Sequence, residues 1–213
     1  ERVSVIDIRR ILKNIISQRD DSEWGPNNTF RYPLFGGTGG LFQKFLPYTG
    51  GRLCLNKNAA RIDPERKEVV FEDGEKASYD VLISTIPLTE LIDKMENRPE
   101  WLGKTAKEFL WSGGYMVGIG LQKPCPSNKN WIYFPENNSP FYRATYLSNY
   151  SPNMTPKGEY FSFLAETSYS RFKTVSKETI VEETIQGLIN SKLLQEEDRA
   201  LIVSTFLLDV PHS

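Results

Sequence analysis

The stretch Arg31-Tyr32-Pro33-Leu34-Phe35-Gly36-Gly37-Thr38-Gly39-Gly40 decides how the rest of the chain is read. An arginine on a short extended segment runs into four glycines around one threonine. Apolar residues at helical spacing follow: Leu41, Phe42, Phe45 and Leu46. Glycines placed just before a helix permit positive φ and let a ligand approach bare backbone. The first free N–H groups of such a helix make a weakly positive seat for a phosphate or an electron-rich ring. Taken alone, the same glycines also describe a plain flexible turn between a strand and a helix.

Upstream, Val5, Ile8, Leu12 and Ile15 recur every three to four residues and predict an amphipathic helix over residues 1–18. Trp24-Gly25-Pro26-Asn27 is a turn, and Thr29–Leu34 reads as a strand. Downstream the helix runs to about Leu46. Arg52–Leu55, Ala59–Asp63 and Glu68–Phe71 then read as short extended runs, with Asp73-Gly74 a hairpin signal. Tyr79–Thr85 (YDVLIST) is a continuous apolar run ended by Pro87, expected to be a strand buried on both faces. Leu88–Met95 and Glu100–Trp111 are helical in pattern.

From Gly113 the texture changes. Tyr115–Gln122, Asn130–Phe134, Tyr142–Ser148 and Tyr160–Glu166 are rich in β-branched and aromatic residues and read as strands joined by Pro/Asn/Ser loops. Ser176 is placed to cap a helix carrying Ile180, Val181, Ile185, Leu188 and Ile189 on one face, and Leu201–Leu208 is a last strand. The fold class is therefore α/β, more closely α+β, with a break near residue 112 between a loop-and-sheet unit and an antiparallel sheet with flanking helices.

Composition narrows the chemistry. The chain has 213 residues, 39% hydrophobic and 25% charged, the balance of a globular protein long enough to bury a core. A net charge of −1 without a Lys/Arg stripe argues against nucleic acid, and no apolar run approaches the roughly 20 residues that span a bilayer. Cys54 and Cys125 are read as free thiols in a reducing, cytoplasmic compartment. His212 is the only histidine, which leaves no His-based zinc site or Ser-His-Asp triad. Chemistry here has to run on Arg, Tyr, Asp/Glu or a cofactor.

A second signal is the polar-aromatic run Trp131-Ile132-Tyr133-Phe134-Pro135-Glu136-Asn137-Asn138-Ser139-Pro140-Phe141-Tyr142-Arg143-Ala144-Thr145, continuing through Ser148-Asn149-Tyr150-Ser151-Pro152. Tyrosines offer a flat apolar body with a hydroxyl, suited to sugars and phosphates. Arg143, placed opposite Arg31, would grip a diphosphate with paired N–H forks, both side chains pointing into one cleft. The competing reading is two arginines held in salt bridges.

The glycine loop, the meander over residues 52–71 and the run Asp80–Pro87, in this order, resemble the flavin-dependent amine oxidase and protoporphyrinogen oxidase superfamily. Within it, W-G-P-N-N-T-F-R-Y-P…G-G-T-G-G together with Y-F-P-E-N-N-S-P-F-Y-R-A-T…S-N-Y-S-P resembles the eukaryotic-type UDP-galactopyranose mutase family, from Glu1 to about Asp209. That resemblance implies an isomerase using FAD in its reduced form. It interconverts UDP-galactopyranose and UDP-galactofuranose through an adduct between flavin N5 and the sugar, so no protein side chain is the nucleophile. It implies that Arg31 and Arg143 hold the UDP diphosphate and that Tyr133 contacts the phosphate or sugar. Gly36, Gly37, Thr38, Gly39, Gly40 and Ala59 are expected beside FAD, and no metal is needed. It divides the chain into a helical substrate-side segment (1–30), a partial FAD-binding unit (31–98) and an antiparallel-sheet substrate unit (99–213). Asn14 is a candidate on the uridine side.

No G-x-G-x-x-G strand–loop–helix signature occurs in the sequence. The chain is accordingly expected to be the middle of a larger enzyme, inactive and without FAD by itself. An FAD-dependent amine oxidase or desaturase would share the glycine loop but would not require Arg31 with Arg143. A non-catalytic module binding a sugar nucleotide is the third reading. The sequence is silent on oligomeric state.

Overall fold

Strand β4, Gly113–Leu121, is the centre around which the rest of the molecule is arranged. Its side chains alternate: Tyr115, Val117, Ile119 and Leu121 are buried, while Met116, Gly118 and Gly120 are half-exposed on the other face. In a computed structural model describing residues 7–19 and 30–212, β4 lies in a five-stranded sheet. Numbered in chain order, β1 (Ala59–Asp63), β2 (Glu68–Phe71) and β3 (Lys76–Ser78) precede it. The remaining members of its own sheet are β5 (Trp131–Tyr133), β6 (Arg143–Tyr146), β7 (Phe161–Tyr169) and β8 (Ile202–Val210). Their order across the sheet is β5-β6-β7-β4-β8, antiparallel throughout.

One face of this sheet is the core. Val117, Ile119, Phe163, Ala165 and Ala144 are fully covered, with Phe141 and Leu194 closing the ends. Helix α5 (Ile180–Asn190) lies on that face through Ile180, Ile185 and Leu188. Each large apolar side chain buried there contributes about 1.5–3 kcal/mol. The opposite face carries the candidate site.

The second sheet is smaller. β1, β2 and β3 form an antiparallel meander, and Gly74 takes φ +84° in the turn that Asp73-Gly74 predicts. Ile62 and Ile92 of α3 (Leu88–Lys94) are both buried, and the Glu96 N–H donates to the Ile62 carbonyl at 2.8 Å. The remaining helices are α1 (Ile8–Ser17), α2 (Gly37–Gln43) and α4 (Glu100–Ala106).

Several expectations fail at identifiable places. Residues 79–85 form no strand: Val81 is 80% and Ile83 86% exposed. A strand exists only as one side of a ladder, and here backbone pairing with a described segment goes no further than the Tyr79 N–H, which donates to the Lys67 carbonyl at 3.0 Å. Arg52–Leu55 is irregular for the same reason, and so are residues 30–34. α1 exposes Ile8, Leu12 and Ile15, the stripe expected to bury it, while Val5 and the turn at Trp24 lie outside the described residues. α2 stops at Gln43 and α4 at Ala106, short of Leu46 and Trp111. The cap of α5 is Thr179, not Ser176, whose hydroxyl donates to Glu178 instead.

Candidate functional site

Because side chains alternate along each strand, residues in register stand in a row on one face. Tyr133, Arg143, Glu166, Met116 and Leu208 occupy one such row, across β5, β6, β7, β4 and β8. Trp131, Thr145, Leu164, Gly118 and Phe206 form the next. Both rows lie on the face away from α5. Arg143 and Tyr133, ten residues apart in sequence, are thus brought side by side by the β5–β6 pairing.

Arg143 is gripped from the side. Its Nε donates to Glu166 Oε1 at 2.6 Å and its Nη2 to Oε2 at 2.7 Å, the two-pronged geometry of a guanidinium on a carboxylate. Tyr142 donates its hydroxyl to the same Oε2 at 2.9 Å. Glu166 is buried, its side chain only 7% exposed, whereas that of Arg143 keeps 34%. Burial by itself would lower the guanidinium's pKa, but its bonds to Tyr133 and Glu166 raise it above the ordinary value. Burial and the Glu166 carboxylate push the Tyr142 phenol up as well. The Arg143 Nη1 donates to the Tyr133 hydroxyl at 3.4 Å, and the guanidinium stands 5.9 Å from that ring's centre.

Arg31 arrives on the segment that crosses the Trp131 end of this face. Phe30 packs on Tyr150 at 4.9 Å and on Trp131 at 5.4 Å, and Tyr32 on Tyr150 at 5.1 Å. The Leu34 carbonyl accepts from Ser151 Oγ at 2.6 Å and Asn153 Nδ2 at 3.0 Å, which ties the segment to the turn after β6. Arg31, between two neighbours turned onto Tyr150, is exposed. Tyr150 joins the two arginine-bearing segments: burial raises its pKa, opposed by the charge of Arg143, with Glu166 and Tyr32 also within influence. The salt-bridge reading therefore holds for Arg143, which has a carboxylate partner, while Arg31 makes no ion pair with a described residue.

The glycine turn follows directly. Gly36 caps α2 with φ +72° and Gly37 opens it at φ +58°, conformations that side-chain-bearing residues rarely adopt. The Gly40 N–H closes the turn on the Gly36 carbonyl at 2.8 Å. A Cβ on Gly40 would stand 3.2 Å from the Phe35 carbonyl oxygen, whereas one on Gly39 would meet nothing within 4 Å. Thr38 is exposed in the first turn, and Leu41, Phe42 and Phe45 expose large apolar surface beside it. Ala59 is half-buried at the start of β1, opposite Phe71. Asn14 lies in the middle of α1. A groove lined by Gln122, Lys157, Glu159, Tyr160 and Leu201 opens at the other end of the β4–β7 ladder and holds none of these residues.

Glu166 and Tyr142 are the site residues that sequence reasoning missed as such. A signal was present: Glu166 is the lone charge in the apolar run Phe161–Tyr169, and a carboxylate there demands a partner. Among the described residues, no group of three His, Cys, Asp or Glu is placed to hold a metal, and no helix is long and apolar enough to cross a membrane.

A small antiparallel meander followed by a five-stranded antiparallel sheet recurs in solved structures of other proteins. The chain resembles a protein from Exiguobacterium sp. 255-15 named for protoporphyrinogen oxidase, over 83% of this chain and 39% of that one (TM-score 0.60, 13% identity). It likewise resembles an oxidoreductase from Methanosarcina mazei, over 84% and 43% (TM-score 0.57, 12% identity). At such identities the likeness is one of fold alone. No family model matches the sequence. Far stronger is the similarity to the crystal structure of reduced UDP-galactopyranose mutase: TM-score 0.89 and 38% identity over 100% of this chain. The likeness to UDP-galactopyranose mutase runs through the whole of this chain, which spans 47% of that protein's length.

Proposed function

We propose that the chain forms part of a flavin-dependent sugar-nucleotide isomerase that interconverts UDP-galactopyranose and UDP-galactofuranose. The observation that carries this reading is the 38% identity to UDP-galactopyranose mutase over the whole chain. The geometry of the open sheet face agrees with it. Residues 31–98 would serve the flavin, and residues 99–213, with the segment before Arg31, the sugar nucleotide.

The residues present fit a large flat cofactor. The turn Gly36-Gly37-Thr38-Gly39-Gly40 offers backbone with open space at Gly39, next to exposed apolar side chains, and Ala59 is small enough to admit a ring edge. These residues would hold FAD. When bound and reduced, the flavin supplies the nucleophile for the anomeric carbon, which accounts for a site without histidine. Arg143 presents N–H donors to a diphosphate, and the exposed Arg31, with no ion pair to a described residue, would add positive charge. Together they stabilise the negative charge that gathers as the sugar–phosphate bond breaks, and they retain UDP for its return. Tyr133 offers its hydroxyl to a phosphate oxygen or a sugar hydroxyl.

The test uses the natural full-length protein. Reduced with dithionite and given UDP-galactofuranose, it should yield UDP-galactopyranose by anion-exchange chromatography, and Arg143→Ala should weaken UDP binding severalfold or more. A reduced, flavin-loaded enzyme that converts nothing would refute the isomerase. Unchanged UDP affinity in Arg143→Ala would favour instead an FAD-dependent amine oxidase or desaturase, which has no use for a diphosphate clamp.

A further inference from the structure

We propose that Glu166 is a positioning residue for Arg143: it fixes the guanidinium by one side so that only its far end can meet a ligand. The inference rests on the sugar-nucleotide reading and adds to it a division of labour between the two arginines. A guanidinium carries five N–H donors in one plane. Glu166 takes the Nε–H and one N–H of Nη2, at 2.6 and 2.7 Å. What remains is the end formed by Nη1 and Nη2, and Nη1 already lies beside the Tyr133 hydroxyl. A phosphate can therefore be received only end-on, next to Tyr133.

The carboxylate is itself held. Tyr142 donates to it at 2.9 Å, and the Tyr142 N–H donates to the Glu166 carbonyl at 3.0 Å, so side chain and backbone of Glu166 are both anchored to the residue that leads into β6. Half-buried Met116 and Leu164 flank the pair on the same face and keep water from competing for its bonds. Arg143 and Glu166 together carry no net charge. Arg143 thus contributes direction, and the exposed Arg31, which makes no ion pair with a described residue, would contribute net positive charge.

The experiment is a calorimetric UDP titration of the full-length holoenzyme in five forms: wild type, Glu166→Gln, Glu166→Asp, Arg143→Ala and Arg143→Ala with Glu166→Gln. Near-ultraviolet circular dichroism reports whether each is folded. Glu166→Asp keeps the charge but withdraws it by one methylene, so it separates geometry from electrostatics and carries the test alone if Glu166→Gln does not fold. Both single Glu166 variants should weaken UDP binding about tenfold, a usual size for groups coupled through a shared contact. On the Arg143→Ala background, Glu166→Gln should weaken it no further. Folded Glu166 variants that bind UDP like wild type, or losses that simply add, would overturn the positioning role while leaving the sugar-nucleotide reading intact. Unchanged affinity in Arg143→Ala would sink that reading itself, and this inference with it.

Discussion

Replacing Gly187 by alanine sets two opposing effects against each other. Gly187 lies in the middle of α5, on the buried face with Ile185 and Leu188. Helix propensity favours alanine there by about 0.5–1 kcal/mol. Packing opposes it. The added Cβ would stand 2.7 Å from Pro140 Cδ and 3.0 Å from both Phe141 Cε1 and Ser139 Cβ. Carbon atoms rest at about 3.5–4.0 Å, so helix and turn must part by roughly 1 Å. Neither side yields easily: Pro140 is a ring fused to the backbone, and Phe141 is fully buried with its ring edge-on to Phe134. Overpacking of this kind costs about 1–3 kcal/mol, so the net expectation is a loss of about 1 kcal/mol, or roughly 2–4 °C in Tm. Gly187→Val, bulkier and β-branched, should lose about 3 kcal/mol. Urea unfolding measures both, with an unchanged m-value as the check that only stability moved. Arg143 follows the displaced turn by two residues, so UDP binding should weaken in parallel. A Gly187→Ala protein at least as stable as wild type would show that the turn moves freely, and the close α5–turn contact would then not be what limits this position.

Two hydrogen-bonded polar groups, partly buried Tyr169 and buried Asp198, make stability depend on pH in opposite directions. Tyr169 donates to Asp209 at 2.6 Å, and burial together with that bond pushes its pKa up to about 12. An unfolded tyrosine ionises near 10, so the stabilisation is complete below about pH 10 and disappears as pH rises towards 12. Urea midpoints at pH 8, 10 and 11.5 should fall for wild type and stay flatter for Tyr169→Phe; equal slopes would contradict the assignment. Asp198 accepts from the Gln195 N–H at 2.9 Å and from Lys123 at 2.8 Å. Burial alone would raise its pKa, yet these bonds hold it below the usual carboxylate value. Its contribution is thus present above about pH 4 and lost as pH falls through the lowered pKa. Asp198→Ala should cost about 2 kcal/mol at neutral pH and remove that part of the acid sensitivity in a circular-dichroism titration.

Local chemistry in the sequence was enough for whatever depends on neighbours along the chain. The left-handed turn at Gly36-Gly37, the hairpin at Asp73-Gly74, the alternation of β4 and the apolar stripe of α5 all follow from steric freedom and side-chain period, which a short window contains. The motifs around Arg31 and Arg143 were likewise legible, because each is a contiguous string. Pairing was not. The run YDVLIST has every composition mark of a buried strand, yet among the described residues its backbone pairing stops at Tyr79 and no ladder forms. The register that seats Glu166 beside Arg143, 23 residues away, is settled when β6 and β7 meet. A strand's hydrogen bonds and a carboxylate's partner both come from a second segment. Only the folded chain, not the order of residues along it, says which segment that is.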